Sequence, residues 1–420
     1  MSTNPSYRED FPALRFPEKR RGCSEYPSVY LDNAATTHKP SIVLDALGSF
    51  YRSYNANPYR GPYRASVVST QLYEGARAVV ADFVGADTGE IVFTRNTTEG
   101  INLIAHSWAL DRLRPGDEVA IPRSEHHSNL VVWQRVCKRR GAQLVYLELD
   151  EEGRLKAEEI ECKIGSRTKL VACAHISNVL GSVYPVGEII AHAHDVGAAV
   201  LLDCAQSAAH RPLDLHALDA DFAAFSGHKL YGPMGIGVLY IKRDLMDGLQ
   251  PFLLGGEMVE SVFDFHATFE NGPRRFEAGT PSVPEALGLA AATSYVKKVG
   301  WDNIRSVEDG LTERLLSKMG TVDGVRIYGN PCAAQDRSSI VSFNVAGVHP
   351  QDVALALDAQ GIAVRSGAHC AQPLHRALGI EASCRVSPCL YNTPEEIDAF
   401  IDALEGVRRR IARHIMSVFP

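Results

Sequence analysis

The sequence predicts an α/β protein in which a large, mainly parallel sheet is followed by a smaller α+β domain. Between residues 31 and 285, apolar runs of strand length alternate with segments of helical character. This alternation is typical of a parallel sheet whose two faces are covered by helices. The predicted strands of this seven-stranded sheet are residues 91–94, 118–121, 143–147, 170–174, 198–203, 222–225 and 237–241.

The segments between these strands support the same organisation. Helices are predicted at 98–109, 129–140 and 186–196. Gly141 and Gly197 follow two of them, at the position where a left-handed residue commonly ends a helix. A chain of 420 residues also exceeds what one hydrophobic core usually fills, so we expect more than one lobe.

We predict a division of the chain into three parts. Residues 1–30 form an N-terminal arm that packs with the small domain, residues 31–285 form the large domain, and residues 286–420 form the small C-terminal α+β domain. A helix rich in alanine and leucine, 285–299, leads into the small domain. Further elements expected there are strands 340–345 and 362–365, helix 351–360 and a last helix from residue 395.

Composition narrows the classes of function. The formal charge of −7 favours neither nucleic acid nor an anionic membrane as a partner. No apolar run reaches the ~18 residues that a membrane helix needs, and the charged N-terminus does not resemble a signal peptide. Nine cysteines are scattered without a CxxC pair, which argues against a zinc site and a disulfide framework. We therefore expect a cytoplasmic protein with free thiols and no metal.

A carboxylate ends one of the buried strands. The apolar run 198–202 leads directly into Asp203, which places the side chain at the edge where open α/β sheets bind ligands. A carboxylate there can keep a pyridine nitrogen protonated, and Gln206, a turn further on, can donate to a ring hydroxyl. The alternative is that Asp203 simply caps the next helix.

The next predicted strand, 222–225, is followed by Ser226, Gly227, His228 and Lys229. A lysine at the end of a buried strand is costly unless it is paired or covalently used, and a Schiff base removes that cost. Ser226 and His228 could contact a phosphate, while Gly227 would let the backbone approach closely. A surface lysine beside a loop histidine is the alternative interpretation.

A third segment, residues 94–100, precedes a predicted helix and contains Thr97 and Thr98. Hydroxyls and free N–H groups at a helix N-terminus form an anion site that suits a phosphate. The same residues could be no more than a helix cap. Since the chain has neither a Walker A nor a GxGxxG pattern, we reject a nucleotide site.

Taken together, the motifs resemble those of class V aminotransferases, and among them the SufS-type (group II) cysteine desulfurases. The similarity runs from residue 30 to residue 392, nearly the whole chain. The motifs that carry it are 30–36 (YLDNAAT), 93–102 (FTRNTTEGIN), 125–129 (EHHSN), 175–181 (HISNVLG), 226–229 (SGHK) and 276–281 (FEAGTP).

The resemblance implies an aspartate-aminotransferase-like (fold-type I) large domain that binds pyridoxal 5'-phosphate. It implies that Lys229 carries the cofactor and that His126 stacks on its ring and exchanges a proton with the substrate thiol. The ring would be held by Asp203 and Gln206, and the phosphate by Thr97, Ser226, His228 and, from the other subunit of a homodimer, Thr280. The residues expected to bind the substrate carboxylate are Asn178, Arg385 and Arg365.

Cys370 is the predicted nucleophile, on a loop of the small domain. Its polar, turn-like surroundings suggest exposure, whereas Cys137, Cys173 and Cys204 are predicted to be buried. Arg365, His369 and a following helix N-terminus would all favour the thiolate. On the family's mechanism, Lys229 removes the α-proton of L-cysteine, Cys370 attacks the sulfur, and alanine leaves. A persulfide then passes to an acceptor of the SufE or SufU kind, for iron–sulfur cluster or other thio-cofactor biosynthesis.

Several positions depart from the family's pattern. Tyr59, Tyr63 and Ala368 stand where histidines are expected, and Pro388 and Cys389 are unusual after Arg385. These departures leave the sulfur acceptor and the exact substrate open. The alternatives are a selenocysteine lyase or specialised carbon–sulfur lyase on the same scaffold, and an inactive sulfur-relay scaffold.

Overall fold

The computed structural model describes residues 7–15, 29–331 and 336–407. Its strands are β1 (Val29–Tyr30), β2 (Ile91–Thr94), β3 (Glu118–Pro122), β4 (Gln143–Leu147), β5 (Thr168–Ala174), β6 (Ala199–Asp203), β7 (Phe222–Ser226), β8 (Gly237–Ile241), β9 (Val259–Val262), β10 (Ala267–Phe269), β11 (Val325–Tyr328), β12 (Val341–Val345), β13 (Ile362–Ala363), β14 (Arg365–Gly367) and β15 (Ser383–Val386).

The α-helices are α1 (Ser41–Ser53), α2 (Arg64–Phe83), α3 (Thr97–Ile104), α4 (Leu110–Arg112), α5 (Val131–Arg140), α6 (Ala157–Lys163), α7 (Val186–Asp195), α8 (Arg243–Met246), α9 (Val283–Val299), α10 (Trp301–Met319), α11 (Pro350–Asp358), α12 (Gln372–Ala377) and α13 (Pro394–Glu405). A π-helical turn joins α3 to α4. No helix in the described part of the chain is long and apolar enough to cross a membrane.

The large sheet has seven strands in the order β2-β8-β7-β6-β5-β3-β4. Only β8 runs antiparallel to its neighbours, β2 and β7. This confirms the prediction of a mainly parallel seven-stranded sheet, and each predicted strand has its counterpart within two residues at either end.

Both faces of this sheet are buried, which explains why its strands are continuous apolar runs. Successive side chains of a strand point to opposite faces. In β5, Val171 and Cys173 belong to one hydrophobic core, while Leu170 and Ala172 belong to the other. Polar side chains are therefore confined to the strand ends, where the predicted site residues stand.

The small domain contains a four-stranded sheet in the order β11-β12-β15-β14, with antiparallel pairing throughout. Its core includes Phe343, Phe400 and Leu315. The single strand predicted at 362–365 is wrong, because the chain changes sheets there: β13 pairs with β1, whereas β14 pairs with β15.

The described part of the N-terminal arm touches both lobes. Arg8 forms an ion pair with Glu396 of α13 at 2.6 Å. The Phe11 ring lies 4.5 Å from that of Tyr391 and 5.8 Å from that of Tyr231, centroid to centroid. The boundaries of the three predicted parts stay a prediction, and residues 1–6, 16–28 and 408–420 lie outside the described residues.

Candidate active site

A cavity of about 430 Å³ opens between the carboxyl ends of the large sheet's strands and the edge of the small sheet. Strands β6 and β7 bring polar residues to one wall, and β14 and β15 bring arginines to the other. The cavity is lined by eleven of the predicted site residues: Thr97, His126, Asn178, Asp203, Gln206, Ser226, His228, Lys229, Arg365, Cys370 and Arg385. Thr280 is exposed and does not line the cavity within this chain.

Asp203 and Lys229 perturb each other's protonation in this cavity. Burial raises the pKa of Asp203, and the Lys229 ammonium opposes that rise. Burial lowers the pKa of Lys229, opposed by Asp203. A lysine whose pKa is lowered reaches its neutral amine form, which adds to a carbonyl, at a lower pH than usual.

Asp203 also has an oxygen to spare. Its Oδ1 accepts a hydrogen bond at 2.9 Å from the backbone N–H of Ala205, two residues further along the loop. Its Oδ2 accepts none from the described residues. Gln206 donates from Nε2 to the Ala34 carbonyl at 2.9 Å and still lines the cavity. The two interpretations of Asp203 are therefore compatible: one oxygen stabilises the loop and the other can bind a ligand.

Three of the four residues predicted to hold a phosphate, Thr97, Ser226 and His228, line the same cavity. Ser226 Oγ accepts from the backbone of Thr97 at 2.9 Å and lies 2.6 Å from the Thr97 hydroxyl. Asn96 caps α3 by accepting from Glu99, so the Thr97 hydroxyl is not needed as the cap. Burial and Lys229 lower the pKa of His228 to about 4.

Close packing builds this anion cradle. A Cβ on Gly237 of β8 would lie 2.6 Å from the Cα of Asn96, so only glycine lets the loop before α3 approach the sheet. Thr97 and Ser226 are 129 residues apart in the chain and meet because of that approach. Hydroxyls and backbone N–H groups gathered at the start of an eight-residue helix fit a phosphate group.

His126 lies on the cavity wall as a neutral imidazole. Burial, with a contribution from Lys229, lowers its pKa to about 3. Its Nδ1 accepts from the backbone of Ser128 at 3.1 Å, which leaves the proton on Nε2. A neutral aromatic ring is suited to stack on a pyridine ring, and its Nε2–H can donate.

The neighbouring Glu125 anchors this segment from within the core. Its two oxygens accept from Asn129 Nδ2 at 2.8 Å and from the backbone of Ala174 at 2.7 Å. Burial raises its pKa to about 8. These bonds connect the loop of His126 to β5, whose Ala174 pairs with Asp203 of β6.

Two arginines form the opposite wall, and an aspartate that the sequence analysis did not single out lies between them. Arg365 and Arg385 are cross-strand partners in β14 and β15. Asp32 contacts Arg365 Nη1 at 3.3 Å and Arg385 Nη2 at 3.2 Å. Arg385 also donates from Nη1 to the Asn178 carbonyl at 2.9 Å. The only signal for Asp32 was its place in the motif at 30–36.

The wall can bind a further carboxylate. Arg385 is 3% exposed, and its Nε has no hydrogen-bond partner in the described residues. A guanidinium presents five N–H groups, of which Asp32 and Asn178 take two. The fork geometry suits the bidentate binding of a carboxylate.

Cys370 is exposed at the edge of the cavity, as predicted, and Cys137, Cys173 and Cys204 are buried, also as predicted. The expectation that His369 would favour the thiolate is wrong. The His369 ring is buried, and its Nε2 lies 3.0 Å from the Ser383 carbonyl oxygen. Burial lowers the pKa of His369 to about 2. A neutral, inward-pointing imidazole supplies no positive charge to the thiol.

The departures from the family's pattern lie in different surroundings. Ala368 lines the cavity, whereas Tyr59 and Tyr63 do not line it within this chain. The Tyr59 hydroxyl bonds Glu74 at 2.5 Å, and its ring packs under Arg274. Cys389 is buried in the core beside Tyr231. The tyrosine at 59 is therefore a packed residue here, while Ala368 presents a small side chain to the same cavity as Cys370.

A mostly parallel seven-stranded sheet with a small α+β domain, and a buried aspartate and a half-buried lysine after neighbouring strands, define the class: this is a fold-type I pyridoxal-phosphate enzyme fold. Residues 29–400 match the family described as Aminotransferase class-V, and the chain belongs to that family of pyridoxal-phosphate-dependent enzymes.

Individual relatives agree with this assignment. The chain is 46% identical over 388 residues to a cysteine desulfurase of Haloferax volcanii, covering 92% of this chain and 91% of that protein. It is similar to the structure of a cysteine desulfurase from Thermococcus onnurineus, with a TM-score of 0.91, 40% identity, and 97% and 99% of the two chains covered. The cysteine desulfurase CsdA of Escherichia coli gives a TM-score of 0.87 and 38% identity over 96% and 98%.

Proposed function

We propose that this protein is a pyridoxal-phosphate-dependent cysteine desulfurase that converts L-cysteine to L-alanine and leaves a persulfide on Cys370. The observation that carries the proposal is that Lys229, Asp203 and an exposed cysteine, Cys370, all line one cavity. An amino-group transferase would need the first two residues but has no use for the third. The names of the similar proteins point the same way.

The residues present fit pyridoxal phosphate. Lys229 would bind it covalently, Asp203 Oδ2 would face its ring nitrogen, and the cradle of Thr97, Ser226 and His228 would hold its phosphate. When bound, the cofactor supplies a sink for the electrons of the substrate Cα–H bond. The neutral His126 ring would lie against it.

The remaining steps belong to the chain's own residues. Arg385, held by Asp32 and Asn178, would bind the substrate α-carboxylate, and Arg365 adds positive charge to the same wall. Lys229, once released, would take the Cα proton on Nζ, because its lowered pKa makes the neutral amine accessible. The Nε2–H of His126 would donate toward the substrate.

Cys370 would then form the new bond. Its Sγ attacks the substrate sulfur, the substrate's C–S bond breaks, and an S–S bond forms. The carbon left behind takes a proton and leaves as alanine, so that one thiol and one cysteine become one persulfide and one alanine. No external oxidant or reductant is needed. The exposure of Cys370 would let an acceptor protein of the SufE or SufU kind collect the sulfur.

The finer assignments rest on the family resemblance. We propose the SufS-type group, a homodimer in which Thr280 of one subunit completes the phosphate site of the other, and a cytoplasmic location. The exposed position of Thr280, outside the cavity of its own chain, supports the second of these.

The decisive experiment measures alanine and protein-bound persulfide from L-cysteine after reconstitution with pyridoxal phosphate. We expect Lys229→Ala to form neither alanine nor persulfide. Cys370→Ala should keep the cofactor's absorbance but also form neither product. Cys162→Ala, which removes an exposed cysteine of α6, is the matched control and should behave as the wild type. Undiminished turnover in Cys370→Ala would refute the proposal. If that variant still released alanine from selenocysteine, a lyase assignment would replace it.

A further inference from the structure

The turn that carries Cys370 has a backbone that needs support from outside. His369 and Cys370 are consecutive left-handed residues, with φ of 48° and 56°, and neither is a glycine. Residues with a Cβ seldom adopt this conformation, because the Cβ approaches the following carbonyl oxygen. Such a turn persists where the surrounding contacts over-determine it.

Both peptide carbonyls that flank the Cα of Cys370 accept hydrogen bonds from loops of the large sheet. Before it, the His369 carbonyl accepts from Asn178 Nδ2 at 2.8 Å. After it, the Cys370 carbonyl accepts from the backbone N–H of His127 at 2.7 Å. Asn178 follows β5 and His127 follows β3. The residue proposed to take up sulfur is therefore fastened to the lobe proposed to hold the cofactor.

His127 makes a second contact with the same turn through its side chain. The backbone N–H of Gln372, the first residue of α12, donates to His127 Nε2 at 3.3 Å. This bond requires a neutral ring, and burial, with a contribution from Arg376, lowers the pKa of His127. His127 thus contacts the chain directly after Cys370 at two points, although it does not line the cavity itself.

We propose that His127 is a positioning residue for Cys370: its backbone N–H and ring Nε2 keep the left-handed turn closed, so that Sγ stays at the cavity edge. The proposal rests on the desulfurase function proposed above. It predicts that damage to His127 impairs the sulfur-transfer step and leaves cofactor binding intact. A residue with a merely structural role in the large domain would impair both.

Two substitutions separate the two contacts. His127→Ala removes the ring and keeps the N–H, whereas His127→Pro removes both. Proline suits this position, because His127 is the first residue of a short 3-10 helix and His126 has the extended ψ of 147° that precedes proline. His127→Gln offers a side-chain oxygen to the Gln372 N–H and serves as the conservative variant.

Three measurements are made on the reconstituted full-length protein. Cofactor absorbance gives the loaded fraction, rapid quench gives the single-turnover burst of alanine from L-cysteine, and mass spectrometry gives the iodoacetamide alkylation rate of Cys370. Exposed Cys162 serves as an internal control for alkylation. Far-ultraviolet circular dichroism checks that each variant is folded.

We expect every variant to load the cofactor as the wild type does. The burst should slow about threefold in His127→Ala, recover in His127→Gln, and slow about a further tenfold in His127→Pro, the range that loss of one hydrogen bond to a reacting segment produces. Cys370 alkylation should change at least about threefold between the alanine and proline variants, while that of Cys162 stays constant.

A burst and an alkylation rate in His127→Pro within about twofold of those in His127→Ala would overturn the proposal. If His127→Pro fails to fold, the test rests on His127→Ala. A wild-type burst and a wild-type alkylation rate in that variant would then overturn the proposal. Absence of alanine from the wild type would instead refute the desulfurase function, and the alkylation rates would still test the positioning of Cys370.

Discussion

Replacing Glu277 by glutamine should cost about 3 kcal/mol of unfolding free energy, because it leaves Arg77 as a buried charge. The two side chains are only 7% and 2% exposed. Arg77 contacts both Glu277 oxygens, at 2.6 and 2.8 Å, and Glu277 also accepts from the backbone of Phe93 and from the Tyr73 hydroxyl. This network joins the motif at 276–281 to β2.

The magnitude follows from burial. Removing one partner of a buried pair typically costs about 3–5 kcal/mol, because the other charge is left uncompensated. We expect the lower end of that range, because Glu74, 43% exposed, still contacts Arg77 Nε at 3.0 Å. The matched control is Asp82→Asn, since Asp82 and Lys297 form a pair 71% and 47% exposed, and such pairs contribute about 0.5 kcal/mol or less.

Urea denaturation followed by circular dichroism gives the free energies. The double variant Arg77→Met/Glu277→Gln removes the stranded charge and keeps an acceptor for the Phe93 N–H. It should therefore be more stable than Glu277→Gln alone by about 2 kcal/mol. A loss below about 1 kcal/mol in the single variant, or a double variant less stable than the single, would show that Arg77 is not left as an uncompensated buried charge.

Two further predictions concern the site. Asp32→Asn should raise the KM for L-cysteine about tenfold with a smaller change in kcat, because a charge-assisted contact that orients Arg385 is lost. If cofactor loading fell as much as activity did, Asp32 would have a structural role instead. Because burial holds the pKa of His369 at about 2, against about 6.5 when unfolded, only the unfolded state gains this proton as the pH falls below 6.5. The unfolding free energy should therefore fall in acid, by up to about 1.4 kcal/mol per pH unit from this residue. His369→Gln should reduce the slope of unfolding free energy against pH between about pH 6.5 and 4.5. Identical slopes in the variant and the wild type would contradict a buried, neutral His369.

Much of the large domain could be read directly from the sequence, because buried parallel strands are continuous apolar runs and their ends carry the polar residues. Asp203 ends one such run and Lys229 follows the next run closely, so their place at one sheet edge followed from connectivity alone. Helices α1, α2 and α10 were not anticipated. All three are amphipathic surface helices, whose pattern is weaker than that of a buried strand.

The orientation of side chains within the site depended on contacts that no local pattern encodes. Asp32 meets Arg365 and Arg385 across 333 and 353 residues of sequence. His369 was expected to face the thiol, yet its left-handed backbone turns the ring toward Ser383. The hydrophobic pattern was enough to predict the fold class and the strand ends, and the motifs predicted the reactive residues through their resemblance to a known family. Which of these residues meet depends on the tertiary structure, because packing between distant segments sets both the charge that surrounds each group and the direction in which it points.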